Sequence, residues 1–156
     1  MKKSVLSFLL LWYAQGVCIA QTVSKSDSVE IVQTADKFFE LIRNPNDKKF
    51  EKIIAQEIYC LICGGAPTTG RKPYVLSRRL FLDKYLRAFR NYENIRRASL
   101  KKGIRLIIEK PSNNIMMLVT TWVPNEDATG QEGAQMELHF IKRGDFFYFT
   151  GIASIP

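Results

Sequence analysis

The sequence predicts an α+β domain, with three N-terminal helices packed in a curved antiparallel sheet of about four strands. Three observations carry this. Apolar residues recur at helical spacing through the first half of the chain. Beyond Asn91 they alternate with polar ones, the period of a half-buried strand. Proline, glycine and asparagine punctuate the boundaries between the segments.

The elements follow in order. A first helix is expected over 28–43, with Asp27 as N-cap and Glu30 completing a capping box. Val32, Ala35, Phe38, Phe39 and Ile42 form its apolar stripe, and Asn44-Pro45 stops it. A second helix is expected over 47–61, with Phe50, Ile53, Ile54, Ile58 and Leu61 buried and Gly64-Gly65 ending it. The polar segment "APTTGRKP" reads as a surface loop. A third helix is expected over 78–90 with Ser77 as its cap. Leu82, Tyr85, Leu86 and Phe89 face inward, while Asp83 lies four residues from both Arg79 and Arg87. Strands are then expected within 95–110, 115–123, 134–142 and 146–154, the last two joined by a hairpin at Arg143-Gly144-Asp145.

The first twenty residues stand apart. Lys2 and Lys3 precede an apolar run from Val5 to Ala14 and small residues leading to Ala20. That is the layout of a secretory signal peptide, too short to stay in a bilayer as a spanning helix. Cleavage near Ala20 would leave a lead at 21–26 and a single domain at 27–156, secreted or periplasmic. The competing reading lipidates Cys18, but Gln15-Gly16-Val17 fits a lipoprotein cleavage box poorly.

The chain carries a formal net charge of +8. Twelve basic side chains lie between Arg71 and Arg105, opposed only by Asp83 and Glu93. In an exported protein this argues against nucleic acid and for either a solvated basic face or contact with an acidic glycan or lipid headgroup.

The order of elements, with the helix pair expected over 28–61, the helical segment "SRRLFLDKYLRAFR" and the aromatic last hairpin, resembles the nuclear transport factor 2-like superfamily of cystatin-like α+β cones, which includes secreted bacterial members. The resemblance spans residues 27–156 by pattern and not by a diagnostic motif. It implies a curved sheet wrapped around helices with an interior cavity. In the superfamily's isomerases and dehydratases, carboxylates, tyrosines or histidines inside the cone move protons out of contact with water. A different α+β sandwich, with helices on one sheet face, is the alternative.

Chemistry-bearing residues are few. Cys60 and Cys63 form a C-x-x-C at the end of the expected second helix, where the helix dipole opposes a thiolate. A redox couple is therefore disfavoured. A short disulfide and two buried thiols both remain open, with the disulfide slightly preferred. With one histidine in the chain, a zinc site lacks ligands, and no metal or cofactor is expected. His139 and Glu137 share the face of their strand opposite Met136, Leu138 and Phe140. They form a proton-transfer pair only if that face lines a cavity. Asp83 is the remaining acid–base candidate. Tyr59, Phe81, Tyr85, Phe89, Trp122 and Tyr148 are the candidate lining of an apolar pocket.

The expected function is thus a non-catalytic secreted domain binding a small apolar molecule or a protein partner, with a homodimer left open. The alternatives are an isomerase- or dehydratase-like enzyme and a basic-face interaction protein.

Overall fold

A computed structural model describes residues 23–64, 73–109, 112, 114–126 and 129–155. The leader, Cys18 and most of the "APTTGRKP" loop lie outside them. Among the described residues, helices occupy one face of a curved, open sheet of six strands in the order β2-β1-β6-β5-β4-β3. This is the α+β arrangement expected, but with two more strands than the sequence suggested and one parallel pair in a sheet expected to be antiparallel throughout. No helix among the described residues is long and apolar enough to cross a membrane.

Helix α1 spans Lys25–Arg43 and starts earlier than expected. Its N-cap is Ser24, whose hydroxyl accepts from the Asp27 amide at 3.1 Å. Asp27 and Glu30 therefore form no capping box. The Asp27 carboxylate pairs with the Lys142 ammonium at 2.6 Å, and Glu30 accepts from the Phe147 amide at 3.1 Å. Both acids tie α1 to the last hairpin. Tertiary partners displace the local pattern here, while an acid in the first turn still suits the helix dipole.

The expected second helix is the largest correction. Only Asp47–Phe50 is helical (α2), and Ile54–Cys60 is strand β1. β1 pairs antiparallel with the short β2, Val75–Ser77, and parallel with β6. Isoleucines at 54 and 58 are four apart and mimic a helical stripe. The pairing with β6 shifts register between Ile54 and Tyr59, so the strand bulges and its alternation breaks.

The third helix is subdivided. Ser77 caps α3, Arg78–Leu80, through a hydroxyl contact to the Leu80 amide at 3.3 Å. A π-helical turn follows at Phe81–Tyr85 and then α4, Leu86–Phe89. A fifth helix, α5, occupies Glu93–Ala98, where a strand was expected. Glu93 explains it: its carboxylate reaches Arg96 and Arg97, three and four residues on, at 2.6 and 3.0 Å.

The remaining strands are β3 (Arg105–Glu109), β4 (Asn114–Trp122), β5 (Ala134–Arg143) and β6 (Phe146–Ile155), all joined antiparallel. Gly144 turns the last hairpin with a φ of +60°. Inward residues of β4, β5 and β6 meet α1 in one core. Phe38 stacks on Phe149 at 4.0 Å, and Phe140 meets Phe149 edge-on at 6.1 Å. Met117, Met136 and Leu138 complete it, all fully buried.

Candidate functional site

The helix-free face of the sheet carries the most chemically varied cluster. Strand pairing sets a row across it. Tyr59 on β1 faces Gly151 on β6, Gly151 faces His139 on β5, His139 faces Met116 on β4, and Met116 faces Ile107 on β3. Gly151 has no side chain, so the Tyr59 ring leans across it to meet His139 edge-on, with centroids 5.6 Å apart. A Cβ at Gly151 would lie 2.9 Å from both the Tyr59 Cβ and its carbonyl oxygen. Beside this row the β5–β6 ladder shifts register between His139 and Phe140, and Thr150 bulges into the space.

The result is a cleft of about 560 Å³ lined by Tyr59, Glu109, Asn114, Met116, Glu137, His139 and Thr150. His139 Nδ1 lies 3.4 Å from Glu109 Oε2, and Nε2 lies 3.3 Å from Glu137 Oε2. Both contacts are longer than a well-formed hydrogen bond. A neutral imidazole carries one N–H, so it donates to one carboxylate and presents a lone pair to the other. A protonated ring donates to both. The Tyr59 phenol is held above its ordinary range, first by burial and then by the negative charge of Glu137. Among the described residues, the Asn114 side-chain oxygen is buried with no donor.

Other positions fall elsewhere. Asp83 is exposed on the π-helical turn and, among the described residues, pairs with Arg79 alone, at 3.6 Å. It is not near His139 or Glu137 in the cleft lining. The six aromatic positions are not gathered around one space. Phe81 and Phe89 are core residues in mutual edge contact at 5.6 Å. Tyr85 packs against that core with its hydroxyl buried and unpartnered. Tyr148, opposite Ile141, and Tyr59 belong to the helix-free face. Trp122 is sandwiched by α5: the Arg97 guanidinium sits 3.4 Å over its ring, and its indole N–H donates to Asn94 at 2.8 Å.

Cys60 and Cys63 are joined, with Cα atoms 5.4 Å apart and both sulfurs buried. Cys60 ends β1 and Cys63 lies in the turn that follows. A turn brings positions three apart to bonding distance more readily than the regular helix expected from sequence.

The basic cluster is largely engaged. Arg97 bridges Glu93 and Glu126, Lys101 pairs with Asp36, Arg78 donates to the Glu51 carbonyl, and Arg90 donates to the Arg43 carbonyl. The Glu93 carboxyl is pulled down to about 2, mainly by the hydrogen bond from Arg96.

Sequence reasoning named Tyr59, Glu137 and His139 but missed Glu109, Asn114, Met116 and Thr150. Glu109 and Asn114 reach the cleft because they pair across the β3–β4 hairpin, a register the sequence does not encode locally. Gly151 was the available signal, since glycine inside an aromatic strand marks a close approach.

The fold and site define a class: an α+β domain whose open sheet face carries a polar-rimmed cleft. No protein-family model matches the chain, and no curated protein matches it. Among solved structures, a designed nuclear transport factor 2-like protein carrying five substitutions is similar at 11% identity, with a TM-score of 0.43. The match covers 85% of this chain and 100% of the design. At that superposition the likeness lends nothing to activity, ligand or partner, and the architecture stands on the strand order given above.

Proposed function

We propose that this chain is a small-molecule-binding domain and that its ligand occupies the cleft centred on His139. The observation that carries this is the convergence of Tyr59, Met116, His139, Glu109 and Glu137 on one cleft of the helix-free face. The volume lies within the range of small-ligand sites. The apolar ligand expected from sequence becomes one with both a polar and an apolar part, because carboxylates rim the space and Tyr59 and Met116 wall it. The test is an amide chemical-shift map with a fragment set of mixed charge. Shifts should concentrate at Tyr59, Met116, His139 and Thr150. A set of binding fragments that leaves these four still would refute the site.

A second reading, proton transfer of the isomerase kind, is favoured by one specific contact set: His139 stands within reach of two carboxylates. Solvent deuterium exchange next to the carbonyl of a small cyclic ketone tests it. Equal rates for wild type and His139→Ala would end it.

Export from the cytoplasm belongs to the same proposal. It is supported by the layout of residues 1–20 and by the Cys60–Cys63 bond, which suits an oxidising compartment. Binding of an acidic glycan or lipid headgroup by the basic face is weakened as a proposal by the intramolecular partners of Arg78, Arg90, Arg97 and Lys101.

A further inference from the structure

We infer that the cleft selects its ligand by charge and takes an organic cation, a primary ammonium group attached to a short apolar or aromatic body. This rests on the reading of the cleft as a ligand site and names the ligand class.

The charge balance of the lining is the first argument. The chain as a whole is basic, at +8, yet the cleft lining holds two carboxylates and no lysine or arginine. Among the described residues, neither Glu109 nor Glu137 forms an ion pair with a lysine or arginine. Each meets only the His139 ring, at 3.4 and 3.3 Å. Like-signed groups left near one another without a counter-charge leave a negative site for a cation to fill.

The contact geometry is the second argument. Glu109 and Glu137 stand 3.4 and 3.3 Å from the ring nitrogens, longer than a well-formed hydrogen bond, so each carboxylate keeps acceptor capacity toward the cleft. The unmet groups are thus acceptors. An ammonium supplies three N–H donors and a positive charge, and charge-assisted bonds of this kind are the strong ones. A bare metal ion fits less well. Among the described residues no group of three His, Cys, Asp or Glu side chains is arranged to hold one.

The walls are the third argument. Tyr59 and Met116 flank His139 on the same cross-strand row and offer an aromatic edge and a soft thioether to the ligand's body. The ammonium would meet Glu109 and Glu137 while the body lies along that row.

The experiment titrates the folded chain with benzylamine hydrochloride, benzyl alcohol and sodium benzoate, three probes of one shape and different charge. Amide shifts and calorimetry are read at pH 7.5. Benzylammonium should move Tyr59, Met116 and His139 and bind at least about tenfold more tightly than benzyl alcohol, with benzoate weaker still. Glu137→Gln should cost about tenfold for benzylammonium and little for the alcohol. The wild-type probe series needs no substitution, so a variant that failed to fold would leave the test intact. Equal binding of the three probes at these residues would overturn charge selection and leave the ligand site standing. Absence of any probe from the cleft, with shifts elsewhere, would overturn both.

Discussion

Replacing Gly151 with alanine should damage both the sheet and the cleft. The added Cβ would sit 2.9 Å from the Tyr59 carbonyl oxygen, 2.9 Å from its Cβ and 3.3 Å from its Cδ1. Two of these atoms are backbone or fixed to it, so rotating the Tyr59 side chain does not relieve the overlap. The β1–β6 pair must part by several tenths of an ångström, along the only parallel ladder in the described sheet. Overpacking of this kind costs about 1–3 kcal/mol. For a domain of this size that lowers Tm by roughly 3–10 °C. The assay is paired thermal and urea unfolding of wild type and Gly151→Ala, with Gly64→Ala as control. Gly64 has nothing within 4 Å of an added Cβ and should tolerate the change. The Tyr59 ring should also lose its contact with His139, read from the imidazole proton shifts. A Gly151→Ala protein within about 0.5 kcal/mol of wild type, with the imidazole shifts unchanged, would refute the close-approach reasoning.

Two further outcomes follow from the ties around the core. Reduction of Cys60–Cys63 opens a loop with a sequence separation of 3, for which chain entropy predicts a loss of about 2 kcal/mol; a denaturation midpoint corresponding to more than about 4 kcal/mol would contradict a purely local staple. The Asp27 carboxyl is held below its usual value of 3.8, first by its hydrogen bond from Lys142 and next by that with Ser24. A depressed carboxylate stabilises the fold above its unfolded pKa and loses that contribution as pH falls through the folded one. Asp27→Asn should therefore lower stability at pH 7 by less than about 1 kcal/mol, the scale of partly exposed pairs, and the difference should vanish toward pH 2. A deficit that persists undiminished in acid would point to packing and not charge.

Helix α1 and strands β4 and β5 were legible in the sequence because each keeps one period along its length and packs one face; β6 was legible despite the bulge at Thr150 because its aromatic and β-branched residues mark a strand on both sides of it. Met136, Leu138 and Phe140 show this: their alternation assigned the buried face of β5, and all three are fully buried. Strand β1 was not legible. Its bulge between Ile54 and Tyr59 breaks the alternation, and its isoleucines then imitate a helix. Helix α5 was hidden for the opposite reason. Its support comes from Glu93, Arg96 and Arg97, which read as a charge run when apolar period alone is followed. The site was half legible. Glu137 and His139 share a strand face by simple parity, whereas Glu109, Asn114 and Tyr59 join them through pairings with other strands. Those pairings depend on turns and bulges far along the chain, and no local pattern records them.

Strand β6 lies between β1 and β5 although it follows both in chain order. A growing polypeptide therefore makes the β1–β2 ribbon and the β3–β5 meander before any strand pairing joins them. Only when residues 146–155 have emerged can the halves zip shut, a closure across nearly a hundred intervening positions. Assembly of this kind is slow and all-or-none. Trimming the final ten residues should leave two orphaned sheet fragments and no shortened but intact version of the domain.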